Sequence, residues 1–161
     1  MASLKQEDFS VNTIIGPGTS VSGNIESGGF TRVDGNVLGD VRAKGRLIVG
    51  ERARMKSSIS GTFVTVGGVV FGNVIATERL VILATGLVMG DIITRRIQAD
   101  EGCLIHGRVR LCLTDEAWNR ALSEYRDVVR IRESLGIGAL EGRAPQGESS
   151  LRASGSGARN F

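Results

Sequence analysis

Proline and cysteine are scarce in this chain, with two of each, and histidine occurs once. So few prolines argue against a collagen-like or Pro-rich linker despite 23 glycines, which instead suit a fold with many tight turns. Cys103 and Cys112 lack metal-type spacing, so neither a disulfide framework nor a metal site is expected and a reduced, cytoplasmic setting is. No stretch approaches the ~18 apolar residues that span a bilayer, and Met1 to Ser10 holds no apolar run resembling a signal peptide. The net charge of +3 is too small to point to nucleic acid by itself. It arises up to Leu113, where 13 Lys and Arg face 10 Asp and Glu; from Thr114 onward there are 7 of each.

What the chain does have is a repeat, and repeats are settled first. A pentad of apolar, any residue, Gly, Asp or Asn, apolar occurs at Val21–Ile25, Val37–Val41, Val70–Val74 and Val88–Ile92. Degraded copies stand at Met55–Ile59, which has lost the Gly, and at Ile105–Val109, where Arg108 replaces the acid or amide. The third positions fall at 23, 39, 57, 72, 90 and 107, at intervals of 16, 18, 15, 18 and 17. A second column, Leu47, Val64, Leu80 and Ile97, keeps the same period, with Val49, Val66, Ile82 and Ala99 two residues behind. Phe30 is expected to extend the first of these columns upstream. Spacing of i and i+2 puts each pair on one face of a strand. Gly35, Ala53, Gly68, Gly86 and Cys103 mark turns two residues before an inward apolar position.

Three short apolar segments per ~17 residues, separated by corners, describe one turn of a triangular solenoid rather than a hairpin array. The expected fold is therefore all-β: a single-stranded parallel β-helix of about six triangular coils over residues 13–113, stacked at about 4.8 Å into a rod about 29 Å long. The winding hand is not legible in these residues. After a tail at 1–12 and the coils, Thr114-Asp115-Glu116 reads as an N-cap with acids in a first turn. Trp118, Leu122, Tyr125 and Val129 follow at helical spacing, and Gly136 is placed as a stop. A helix is expected from about Asp115 to Leu135, within a 114–136 segment. Residues 137–161, mostly Gly, Ser, Ala and Arg, are expected to be disordered.

The run Thr13-Ile14-Ile15-Gly16, the repeated Gly-Asn/Asp-Ile/Val pentads and Arg46-Leu47-Ile48-Val49-Gly50 resemble the bactofilin domain, over roughly Val11 to Leu113. The resemblance implies a right-handed parallel β-helix that polymerises end to end, without nucleotide, into non-polar filaments. It also implies a cytoskeletal scaffold that positions cell-wall-modifying enzymes or other proteins and influences cell shape. Association with the inner face of the cytoplasmic membrane through an N-terminal tail is a further implication, for which Met1, Leu4, Lys5 and Phe9 are the candidate residues here.

No catalytic or cofactor-binding constellation is visible, and no cofactor is expected. His106 sits at pentad position two, which should point outward. The enzymatic alternative is a trimeric β-helix acyltransferase, whose strict hexapeptide steps and His-bearing projecting loop are not matched by these uneven intervals. The candidate functional surface is the pair of solenoid ends, since uncapped coils expose strand edges and core side chains. Ile14, Ile15, Val21 and Ile25 are assigned to the front end, and Ile105, Val109, Leu111 and Leu113 to the back. The competing reading is that the helix folds over the last coil and caps it. Trp118, Leu122, Tyr125 and Val129 are candidates for docking a partner, against the plainer reading that they pack on the solenoid. Arg42, Lys44, Arg46, Arg52, Arg54, Lys56, Arg95, Arg96, Arg108 and Arg110 read first as solvated outward positions and second as a stripe for anionic lipid, a wall precursor or DNA.

Overall fold

The computed structural model describes residues 11–135. The chain divides into two compact units, with the division between Trp118 and Asn119. The first unit is a parallel β-solenoid of six coils. Each coil contributes one strand to each of three faces.

The first face stacks Val11–Ile15, Phe30–Val33 and Arg46–Val49 on the C-terminal halves of Ile59–Val66 and Val74–Ile82, and ends at Ile97–Ala99. The second runs Ser20–Ser22, Asn36–Leu38, Arg54–Lys56, Val69–Phe71, Leu87–Met89 and Leu104–His106. The third begins at Ile25–Ser27 and Val41–Ala43. It continues through the N-terminal halves of the two long strands to Ile92–Thr94 and Val109–Leu111.

The second face confirms the pentad register residue by residue. Val21, Val37, Met55, Val70, Val88 and Ile105 are successive partners, so the intervals read from the sequence are the lengths of the coils. Met55 and Ile59 keep their inward places although Ser57 replaces the glycine between them; all three are buried. Like stacks on like through the interior: Leu47, Val64 and Leu80 are almost wholly buried, as are Val33, Val49, Val66 and Ile82. Burial of each such side chain contributes about 1.5–3 kcal/mol at most, against the entropy of ordering its coil.

One member of that column differs from expectation. The upstream partner of Leu47 is Thr31, fully buried, and not Phe30, which pairs with Val11 and is only half-buried. The cause lies one coil earlier. The register shifts between Val11 and Thr13, and the Asn12 side-chain oxygen in that bulge accepts a hydrogen bond from the Phe30 amide (3.0 Å). The inward parity therefore falls on Thr31 and Val33. Val11 and Asn12, expected in the tail, belong to the first strand, so among the described residues the coils reach two residues further than their expected start at 13.

The corners after the second face are built on stacked glycines. Gly39, Gly72, Gly90 and Gly107 all have positive φ (+134° to +152°). A methyl on Gly90 would run into the carbonyl oxygen of Gly72, and one on Gly107 into that of Gly90. Glycine is thus required twice over, by conformation and by the closeness of the coil beneath.

The helix runs Asp115–Leu135, opened by a hydrogen bond that the Ala117 backbone N–H donates to the Thr114 hydroxyl oxygen (3.2 Å). Its first turn belongs to the solenoid unit. Trp118 is buried, with the Arg95 guanidinium 5.4 Å from its ring centre, and Arg95 also pairs with Asp115 at 2.5 Å. In the second unit Ala121 is buried while Leu122, Tyr125 and Val129 are half-exposed; Val128, Ile131 and Leu135 are exposed.

Candidate functional site

The solenoid ends are where its geometry is unfinished. Among the described residues the last strands of the three faces, Ile97–Ala99, Leu104–His106 and Val109–Leu111, are paired on one side only. Val109 and Leu111 lie in register with the fully buried Ile92 and Thr94, so their side chains occupy core positions, yet they are 41% and 52% exposed. Ile105, in register with Val88, is half-exposed. Within the solenoid unit the back end is therefore an apolar surface edged by open backbone groups. Leu113 lies beyond the final strand and is 82% exposed, a residue of the connection rather than of the coil.

At the front, Ile15 is buried, and Val21 and Ile25 hold inward register positions and are half-buried. Ile14 does not belong with them. Thr13 and Ile15 pair with the buried Thr31 and Val33, so the alternation of the strand turns Ile14 outward beside Arg32. The N-terminal tail candidates Met1, Leu4, Lys5 and Phe9 lie outside the described residues.

The basic residues do not form a stripe. Arg42, Arg46 and Arg54 stand on three different faces. Arg42 is 3.8 Å from Glu26 in an exposed pair of little energetic weight. Arg95 is tied to Trp118 and Asp115, and Arg108 to Asp91.

That last pair belongs to a device the sequence reading missed. At pentad position four the side chain reaches to the next coil's backbone. The oxygens of Asn24, Asn73 and Asp91 accept hydrogen bonds from the amides of Asp40 (3.1 Å), Asp91 (3.0 Å) and Arg108 (3.3 Å). The available signal was an acceptor at position four with a further copy one coil on. At Asp91 burial pushes the carboxyl up. The hydrogen bonds from the Arg108 side chain (3.0 Å) and backbone, with the charges of Arg108 and Arg110, outweigh this and hold it below the usual carboxylate range.

Among the described residues no group of three or more His, Cys, Asp or Glu could hold a metal ion, and no helix is long and apolar enough to cross a membrane. His106 lies on a second-face strand, in register with Met89, and not on a projecting loop.

Against this geometry, the family model for bactofilin, described as polymer-forming cytoskeletal, matches residues 13–110. The chain belongs to the bactofilin family. Bactofilin BacP of Myxococcus xanthus is 33% identical over 98 residues, which are 61% of this chain and 41% of BacP. Bactofilin BacO of the same organism is 29% identical over 98 residues, 78% of its length. The chain thus spans about two fifths of the first of these relatives. A cryo-EM reconstruction of Thermus thermophilus bactofilin double helical filaments superposes with a TM-score of 0.60 and 28% identity, covering 62% of this chain and 99% of that one.

Proposed function

We propose that this bactofilin assembles end to end, without nucleotide, into filaments that act as a cytoskeletal scaffold in the cytoplasm, organising cell shape or cell-wall-modifying proteins. The observation that carries the reading is the open back end, where Val109 and Leu111 hold core positions without a coil above them. A solenoid that stays monomeric needs polar caps, and stacking on a second copy would supply both the missing ladders and the missing apolar partners. The Thermus relative forms filaments from a domain of the same fold. Each end is taken to meet its own kind, giving filaments without polarity. Contact of the filament with the inner membrane surface, through Met1, Leu4, Lys5 and Phe9, belongs to the same reading, as does recruitment of partners by the helix residues Trp118, Leu122, Tyr125 and Val129.

The test is electron microscopy and sedimentation of purified protein without nucleotide, beside Leu111→Arg and Val109→Lys, with circular dichroism as the check on folding. Long filaments from the wild type and short folded species from both variants are expected. Filaments of unchanged length from both, or discrete wild-type trimers, would overturn the proposal.

A further inference from the structure

The basic residues read from the sequence are scattered over the faces, but Arg79, which is not among them, completes a row of another kind. The row follows the edge where the third face passes into the first, an edge that Ile59–Val66 and Val74–Ile82 both cross. Phe30, Arg46, Phe63 and Arg79 each stand one residue before an inward position, held by Thr31, Leu47, Val64 and Leu80, and so turn outward. Arg46 and Phe63 are register partners, as are Phe63 and Arg79. Arg96 extends the row into the last coil, its carbonyl accepting a hydrogen bond from the Leu80 amide (2.8 Å). Phe63 is 38% exposed and Phe30 half-buried, while the three arginines are exposed. Aromatic and guanidinium groups therefore alternate from coil to coil at the ~4.8 Å spacing of stacked strands, and the row closes on two arginines.

We infer that this edge docks an extended, acidic, proline-rich segment of a partner protein, held as a polyproline II helix. Charge selects an anion. Arg79 and Arg96 occupy successive coils, where like charges in register repel, and among the described residues no ion pair holds either of them. Lys44, exposed and two residues before Arg46, adds to the charge, against Glu78. A carboxylate seated on the arginines turns that repulsion into charge-assisted hydrogen bonds. Spacing selects the backbone form. Arg46 and Arg79 stand two coils apart, about 9.6 Å, and a polyproline II helix advances about 9.3 Å in three residues. Every third side chain of such a segment therefore keeps step with every second coil, whereas a strand repeats its side chains at about 6.8 Å and falls out of step. Strand addition is closed off in any case, because the backbone amides of the edge are already used: Phe63 donates to Gly45 and Leu80 to Arg96. Phe63 lies midway between the two arginines, where the intervening residues of the segment cross, and proline rings there pack on its aromatic face.

The inference rests on the scaffold reading and deepens it by naming the chemistry of a recruited segment, yet it uses no residue of the end faces or of the helix. A single row buries little surface, so one contact is weak and exchanges readily. Along a filament the row recurs in every subunit, and a partner carrying several such segments gains through effective concentration. Phosphates of a bilayer or a nucleic acid would also be held by arginine, but they would read the charge without the three-residue period, and the period is what separates them.

The experiment titrates the full-length protein against a fluorescein-labelled Glu-Pro-Pro repeat peptide and against an isomer of the same composition with its glutamates consecutive, read by fluorescence anisotropy. Arg79→Gln/Arg96→Gln and Phe63→Ser alter the row at exposed positions, and Arg52→Gln/Arg54→Gln removes the same charge at exposed positions elsewhere on the rod. Circular dichroism checks folding and electron microscopy checks filament length. Wild type is expected to bind the repeat peptide about ten-fold more tightly than the isomer, and Arg79→Gln/Arg96→Gln to lose about ten-fold or more. Phe63→Ser should lose the preference for the repeat, and Arg52→Gln/Arg54→Gln should match wild type. Equal binding of the two peptides, binding of neither, or equal losses in the two arginine variants overturns the inference and leaves the filament reading standing. Binding of phosphatidylglycerol vesicles or of a single-stranded oligonucleotide in place of the peptide, lost in the same row variants, overturns it in favour of a lipid surface or a nucleic acid. If no filaments form, the end-to-end reading fails, and the same peptide comparisons on the dispersed protein still uphold or overturn the edge.

Discussion

Replacing Gly90 with alanine tests whether the coils are held at their spacing by the glycine corners. Gly90 has φ +152°, a region L side chains rarely adopt, and an added methyl would meet the carbonyl oxygen and carbon of Gly72 well inside van der Waals contact. The conformational part costs roughly 1–3 kcal/mol. The steric part cannot be relieved by a rotamer change, since the obstruction is backbone, and overpacking of this kind costs a further ~1–3 kcal/mol. Gly72 is itself seated on Ser57, and Gly107 sits on Gly90, so a shift at one corner is passed to its neighbours. The expected loss is therefore about 2–6 kcal/mol, a large share of the ~5–15 kcal/mol that holds a domain folded. Gly28 is the internal control: it occupies another corner, has no positive φ, and a methyl there meets nothing within 4 Å. Gly28→Ala should be neutral or stabilise by up to ~1 kcal/mol through the unfolded chain. Urea unfolding followed by circular dichroism, at one protein concentration so that self-association does not shift the midpoint, compares the two. Equal midpoints for Gly90→Ala and Gly28→Ala would refute the argument that stacked glycines set the coil spacing.

Two further substitutions probe the interior and its edge. Thr31 is fully buried and its hydroxyl has no hydrogen-bond partner. Thr31→Val removes that desolvated group at nearly constant shape and should raise stability by about 1 kcal/mol; a lower urea midpoint would show that the hydroxyl is satisfied after all. At Asp91 the folded state favours the carboxylate, because its pKa lies below the ordinary value. The stabilisation is complete above the unfolded pKa of about 4 and drains away as the pH falls through the folded value. The side chain is 40% exposed, so solvent screening keeps the effect under about 1 kcal/mol. Asp91→Asn should be less stable than wild type at pH 7 and converge with it in thermal melts as the pH falls below the folded-state pKa; a difference independent of pH would remove the charge from the explanation.

The repeat was legible because the chemistry that fixes it is inward and periodic. Coil lengths of 16, 18, 15, 18 and 17 could be counted from pentads alone, even through Met55–Ile59, where the glycine is missing. Reading inward positions by hydrophobicity failed where the protein departs from it. Thr31 was passed over for Phe30 because a hydroxyl masks a methyl-bearing side chain that packs well on Leu47. Ile14 was assigned to the front end face on type, whereas its place was decided by parity after the Asn12 bulge. Outward positions were discounted as solvated, which hid the row that Phe63 forms with Arg46 and Arg79. The cross-coil bonds of Asn24, Asn73 and Asp91 escaped notice because the pentad treats Asn and Asp as turn formers, and their second use needs the neighbouring coil in place.

The pairing of Asp115 with Arg95 bears on how such a rod comes apart. A solenoid yields least to a push or pull along its axis, where the ladders of all three faces share the load at every coil boundary. It yields most to unwinding, because the outermost strand can peel while the rest stays intact. Arg95 sits at the corner where the chain leaves the fifth coil, and Asp115 follows the sixth. The Arg95–Asp115 pair and the indole of Trp118 therefore join the two ends of a 20-residue turn and make the terminal coil a closed loop. Peeling that coil requires the clasp to open first, so the end whose strands are paired on one side only is also the end secured against unravelling.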